Sequence, residues 1–292
     1  MTLGWNRGHK NFETPGAPQG NLEAWSEAAN KLFAAGCEPQ GFALLCSFAA
    51  PLISLFPNED GGAVVSIHGA KRAGKSVAQT AASTVWALPK ALELLGRDRY
   101  SGLANLRHLP ACITTLASMD PFIAKRFVED FHGGVGPRGD WSTIMLSFSG
   151  EALNLKNVFE MELRVPRGLI DARDKNTPSI LEQNLMRNRG TAGAAYIKEI
   201  LPPHRVLWCK KMLSSRMGLL IEENRLAAEQ VGEMRYTLRC VAACWIAAII
   251  CTDHGILEMS PDRIVRWAIA RALAPLSSPA SRRPRRSASP AS

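Results

Sequence analysis

The sequence predicts an α/β fold built on a mostly parallel sheet, and three features carry that prediction. Ala63-Val64-Val65-Ser66-Ile67-His68 is a short run rich in β-branched residues, as strands are. Gly69-Ala70-Lys71-Arg72-Ala73-Gly74-Lys75-Ser76 follows at once and fits G-x-x-x-x-G-K-S. Ser76 to Trp86 then has helical spacing and neither Gly nor Pro. Strand, glycine-framed loop and helix in this order are the setting a phosphate-binding loop requires.

The remaining elements are taken in chain order. Residues 1–20 are expected to be a flexible arm, with little periodicity. Asn21 is an N-cap candidate for a helix to about Ala35, ended by Gly36. Gly41 to Phe56 is apolar almost all round, which predicts a buried helix kinked or split at Pro51. The helix after the loop is expected to stop near Leu88-Pro89. Leu109–Thr115 is a short strand candidate, and Pro121 opens an amphipathic helix to about Phe131. His132–Asp140, rich in glycine, is a loop. Trp141–Ser149 and Phe159–Val165 are further strands. Helices are expected at 180–187, 192–201, 204–217, 219–230, 233–253 and 261–273. The expected organisation is a core at 21–178 that includes N-terminal helices, a helical region at 179–274, and a disordered basic tail at 275–292.

Composition narrows the class. The chain has 292 residues, 46% hydrophobic and 21% charged, as expected of a globular protein. Met1–Gly8 lacks the apolar stretch of a secretory leader, and Cys240–Cys251 is shorter than the roughly 20 residues of a membrane span. A cytoplasmic protein without a membrane segment is expected. Seven cysteines are an odd number, with no CxxC pair. Cys240 and Cys244 lie one helical turn apart, a spacing that suits a metal, but no further ligand is close in sequence. Reduced core cysteines are the expectation. The net charge is +9, of which Arg282, Arg283, Arg285 and Arg286 in the tail contribute four. The basic body suits a nucleic-acid partner.

The Gly69–Ser76 loop sets the expected chemistry. Its glycines let backbone N–H groups turn toward phosphate oxygens, and the helix behind it adds about half a positive charge. ATP with Mg²⁺ is the expected ligand, bound by Gly69, Ala70, Lys71, Arg72, Ala73, Gly74, Lys75 and Ser76. Lys75 is placed on the β- and γ-phosphates and Ser76 on Mg²⁺.

The chain resembles the phage and bacterial helicase-like ATPases grouped as domain of unknown function 927. The landmarks run in order: the apolar helix before the loop, Gly61-Gly62, the loop itself, and Ser83-Thr84-Val85-Trp86. They continue with Leu109-Pro110, Met119-Asp120, Arg138 in the glycine loop, Leu146–Glu151, Asn188–Gly193, Arg235–Cys251 and Ile264–Ala268. The resemblance implies a P-loop NTPase core of RecA/AAA-like kind and an ATP-driven machine on DNA, assembled as a homo-oligomeric ring. It further implies an arginine offered to the neighbour's nucleotide, for which Arg164 and Arg167 are candidates. Ser149 and Glu151 fall where the family's polar sensor strand ends and would orient water. A channel-facing basic loop corresponds to Lys125, Arg126 and Arg138, expected on single-stranded or duplex DNA. A second basic cluster, Arg205, Lys210, Lys211 and Arg216, is expected to be the wet face of a helix.

One departure is chemical. The family's strand after Leu-Pro ends in Asp-Glu, whereas Thr114 and Thr115 stand here. Threonine is no base at neutral pH, so ATP binding is better supported than hydrolysis. Three readings follow: a helicase-like ATPase of phage or mobile-element DNA replication, a non-catalytic structural or adaptor subunit cemented by nucleotide, and a small-molecule kinase. The kinase reading lacks a convincing substrate lid.

Overall fold

The computed structural model describes residues 17–56, 61–87, 106, 108–114, 116–134, 142–164 and 177–274. The expected arm up to residue 16 and the basic tail at 275–292 lie outside the described residues. The helices are α1 (Leu22–Asn30), α2 (Glu38–Ala49), α3 (Lys75–Thr84), α4 (Pro121–His132), α5 (Thr177–Arg187), α6 (Thr191–Ile200), α7 (Pro203–Glu223), α8 (Ala228–Asp253) and α9 (Pro261–Leu273). The strands are β1 (Ala63–His68), β2 (Ala111–Ile113), β3 (Ile144–Ser149) and β4 (Phe159–Glu162).

The sheet is parallel throughout, in the order β2-β3-β1-β4. The strand carrying the glycine loop is therefore flanked by two later strands. Register decides what each face presents. Val65 pairs with Leu146 and Phe159, and Ile67 with Phe148 and Met161, so one face is wholly apolar. Ser66 pairs with Ser147 and Glu160, and His68 with Ser149 and Glu162, so the other face turns polar toward its C-terminal end. The apolar face packs on α2 and α9, where the Phe42 ring lies 5.5 Å from Phe159 and 6.1 Å from Trp267.

Asn21 caps α1 as expected, its side chain accepting the Glu23 and Ala24 amides. The buried helix α2 begins at Glu38, earlier than expected, because Pro39 is placed in its first turn. Pro51 does end it, and a 3-10 stretch from Ala50 to Leu55 follows. The break expected between residues 217 and 219 is absent: α7 runs through Gly218 to Glu223. Gly218 has open space around it, while Leu213 and Leu220 on either side are buried. A helical glycine costs about 1 kcal/mol against alanine, less than burial of the two flanking leucines returns. Helix α8 is long and apolar enough to cross a membrane, but its residues from Thr237 to Ala248 are all buried against α2, α7, α9 and β1. All seven cysteines are free and buried.

Two packing details generate tests. A Cβ on Gly193 would stand 2.4 Å from the Val85 carbonyl and 2.7 Å from the Trp86 ring. Gly193→Ala is expected to lower stability by about 1–3 kcal/mol in urea unfolding. His132, at the end of α4, stacks on the Tyr236 ring at 4.1 Å. Burial, with Arg235 and Arg239 nearby, pushes its imidazole down to about 4. Between that value and the unfolded pKa near 6.5, the unfolded chain holds the extra proton, so stability falls as pH drops through this window. The loss is expected to reach about 2–3 kcal/mol near pH 4 and to be missing from His132→Phe, measured by thermal melts across pH.

Candidate nucleotide-binding site

The Gly69–Gly74 loop joins the C-terminal end of β1 to the N-terminus of α3, where unpaired helix amides and the helix dipole favour an anion. Two glycines have steric reasons to be there. A Cβ on Gly69 would lie 2.5 Å from the Leu163 carbonyl, just past β4. Gly74 has φ 87° and ψ 13°, a left-handed conformation, and serves as the N-cap of α3. Arg72 also has positive φ, at 66°, an unusual conformation for a residue with a Cβ. Ala70, Lys71, Arg72 and Ser76 are exposed, whereas Ala73 is buried.

Lys75 turns back over the loop. Its ammonium donates to the Gly69 carbonyl and, at 2.8 Å, to the Ala70 carbonyl. Partial burial pushes its pKa below the ordinary lysine value. The cation is thus held above the loop that its own helix starts, where an anion bound by the loop amides would meet it.

Gln40 belongs to this site, and sequence reasoning passed it over. It lies in α2 with no exposure, and its Nε2 donates to the Ala73 carbonyl at 3.2 Å. A glutamine inside an almost wholly apolar helix was the available signal, because burying an amide is costly without a partner. The contact ties the loop to the scaffold behind it.

The other expected residues are placed as follows. Ser149 ends β3 level with His68, one residue before the loop, and its hydroxyl donates to the Glu151 carbonyl. Ser149 is therefore beside the loop, while Glu151 is exposed one residue beyond Gly150. Arg164 follows β4 next to Leu163, is exposed, and pairs with Glu162 at 3.3 Å. Arg167 and Thr115 are outside the described residues. Thr114 is exposed just past β2. Asp120 caps α4, its carboxylate accepting the Phe122 and Ile123 amides at 2.9 and 3.2 Å.

Glu160 is a further carboxylate on the polar face, 3.9 Å from His68 Nε2, and burial raises its pKa. Its Asn154 amide contact, at 2.9 Å, is well formed. The Ser66 hydroxyl faces it from the neighbouring strand without a well-formed hydrogen bond.

The basic residues divide. Lys125 and Arg126 are exposed on α4, with Lys125 3.8 Å from Glu129, and Arg138 is outside the described residues. On α7, Lys210 and Lys211 are exposed as expected. Arg205 and Arg216 are partly exposed and lie over the rings of Trp208 and Trp245, at 5.6 and 4.3 Å from the ring centroids. Among the cysteines, Cys46, far away in the chain, joins Cys240 and Cys244 and brings the third sulfur that their sequence neighbours do not supply.

Replacing Gln40 by alanine strands the Ala73 carbonyl in the core. Gln40→Ala is expected to lose about 1–2 kcal/mol of stability in urea unfolding and to speed amide exchange across residues 70–76, read by mass spectrometry.

Comparison with known proteins agrees with the fold. No curated protein sequence matches the chain. Among solved structures, an SCCmec type IV Cch described as an active helicase superposes with a TM-score of 0.73 at 15% identity, over 91% of this chain and 53% of that one. The chain spans about half the length of that protein. The C-terminal region of NrS-1, in its apo A form, gives a TM-score of 0.39 at 11% identity, over 94% of this chain and 78% of that one. The first likeness shows the α/β fold. Residues 7–101, which include the glycine loop and α3, match the model of the family described as domain of unknown function DUF927.

Proposed function

We propose that this chain binds ATP with Mg²⁺ at the Gly69–Ser76 loop and acts as a helicase-like, DNA-associated subunit in phage or mobile-element replication. The observation that carries the reading is the loop itself. Between a buried parallel strand and a helix N-terminus, it combines left-handed Gly74, a close-packed Gly69 and an ammonium held over its carbonyls. Amides of the loop and of α3 would take the phosphates, Lys75 the β- and γ-phosphates, and Ser76 the metal. Bound Mg²⁺ would supply charge neutralisation on the phosphate oxygens.

In this reading Ser149 orients water at the end of β3, with Glu151 beside it. Arg164, exposed at an edge strand of the described sheet, is offered to a neighbouring copy in a ring. Lys125, Arg126 and Arg138 follow a DNA backbone, which makes binding salt-sensitive and sequence-tolerant. The structural neighbour described as an active helicase lends support at the level of fold.

A second reading, a structural or adaptor subunit that nucleotide stabilises without turnover, is favoured by the end of β2. Thr114 stands there in place of a carboxylate, and Asp120 is committed to capping α4.

The test is ATP binding and turnover on one preparation, with and without single-stranded DNA. Lys75→Ala is expected to weaken ATP binding tenfold or more, a loss of at least about 1.4 kcal/mol. DNA-stimulated turnover in the unaltered chain would establish a motor. Binding without turnover would establish the structural subunit, and equal binding by both chains would overturn the assignment of the site.

A further inference from the structure

A second, chemically different site lies in the helical core. Cys46 on α2 meets Cys240 and Cys244 on α8, nearly two hundred positions away in the chain. The Cys46 sulfur is 3.9 Å from that of Cys240 and 3.7 Å from that of Cys244, and all three lie within 4.8 Å of one another. None of the three is exposed. The i, i+4 spacing puts Cys240 and Cys244 on one face of α8, and the α2–α8 contact delivers Cys46 to that face. The remaining four cysteines are buried as well, but they join no such group among the described residues.

The two separations, which also suit thiol hydrogen bonds, fit the spacing of donors around one ion. Metal–sulfur bonds of about 2.3 Å in a tetrahedral site put the sulfurs about 3.8 Å apart. The two measured pairs fall within about 0.1 Å of that spacing. The donor set is three soft sulfurs, which selects a thiophilic ion over the hard Mg²⁺ proposed for Ser76. We infer that Cys46, Cys240 and Cys244 form a structural site for a soft divalent cation of the zinc group.

Binding replaces three S–H bonds by three metal–sulfur bonds. Three protons leave to solvent, and neither sulfur nor metal changes oxidation state. The product carries one net negative charge, in a core that also buries the guanidinium of Arg239 next to Cys240. Loading takes place during folding or local opening, since the thiols are sealed in the folded chain. The bound ion would then clamp α2, which carries Gln40, to α8. The inference stands independently of nucleotide binding.

The experiment uses Cd²⁺ as the probe, added to the full chain refolded under reducing conditions. About one Cd²⁺ per chain is expected after desalting, with a thiolate-to-metal charge-transfer band in the ultraviolet and a raised melting temperature. The band should be lost in Cys46→Ser and in Cys46→Ala, and kept in Cys112→Ser, which alters a buried thiol of β2 outside the cluster. Because the unaltered chain is melted with and without Cd²⁺, the test does not depend on the variants folding. No band and no melting shift in the unaltered chain would overturn the inference, as would an equal band in folded Cys46→Ala.

Discussion

Every residue of α3 from Val77 to Thr84 is buried, so water cannot satisfy its polar atoms, and much of the surrounding structure answers that condition. The Ser47 hydroxyl on α2 donates to the Ala82 carbonyl at 2.6 Å. The Trp25 indole on α1 donates to Thr84 Oγ1 at 3.2 Å. At the C-terminal end, Gly190 donates its amide to the Thr84 carbonyl at 2.6 Å, and Gly193 donates to Val85 at 2.9 Å. The small side chains of α3 let these partners come close, which is why Gly193 has no room for a Cβ. One helix thus draws the N-terminal helices and the α5–α6 junction into a single packing unit.

The buried end of α3 and its exposed beginning do different work. At the far end, neighbouring backbone and side chains use up the hydrogen-bonding groups. At the near end, Lys75 and Ser76 emerge beside a loop that Gln40 holds from behind and the Leu163 carbonyl confines from the side. A loop fixed in this way gives up little conformational freedom when an anion binds, and preorganised donors interact more strongly than mobile ones. Parallel pairing extends the same logic across the sheet, because it sets Ser149 and Glu162 level with His68 at the mouth of the loop.

Local signals made the glycine loop, its strand and its helix legible in the sequence, because each is specified by neighbouring residues. Pro51, Asn21 and Pro121 likewise ended or began helices where their chemistry required it. The reading was weaker where distant contacts decide. The Leu109–Thr115 strand shortened to Ala111–Ile113, where β3 is its pairing partner. Gly218 does not interrupt α7, since burial on both sides outweighs one glycine. Cys46 and Gln40 could not be assigned by spacing, because their partners lie far away in the chain. Arg205 and Arg216 looked like solvated charges, yet their planar guanidinium groups rest on tryptophan rings.

The contrast between the two ends of the candidate site bears on function. The left-handed conformation of Arg72 is one that a residue with a Cβ disfavours, whereas Lys75 is tied to the turn by its own hydrogen bonds. Such a backbone conformation costs on the order of 1 kcal/mol. Just past β2 stands the exposed Thr114, and the next acid along the chain, Asp120, caps a helix. In the proposed function, binding and reaction chemistry are therefore separated. The backbone amides and Lys75 that would hold phosphate in the proposed function are built into the loop, while Thr114, just past β2, offers no carboxylate for water activation. A partner subunit that supplies the missing base would need a second contact with the nucleotide. In the proposed ring, the exposed Arg164 just past β4 would face such a neighbour.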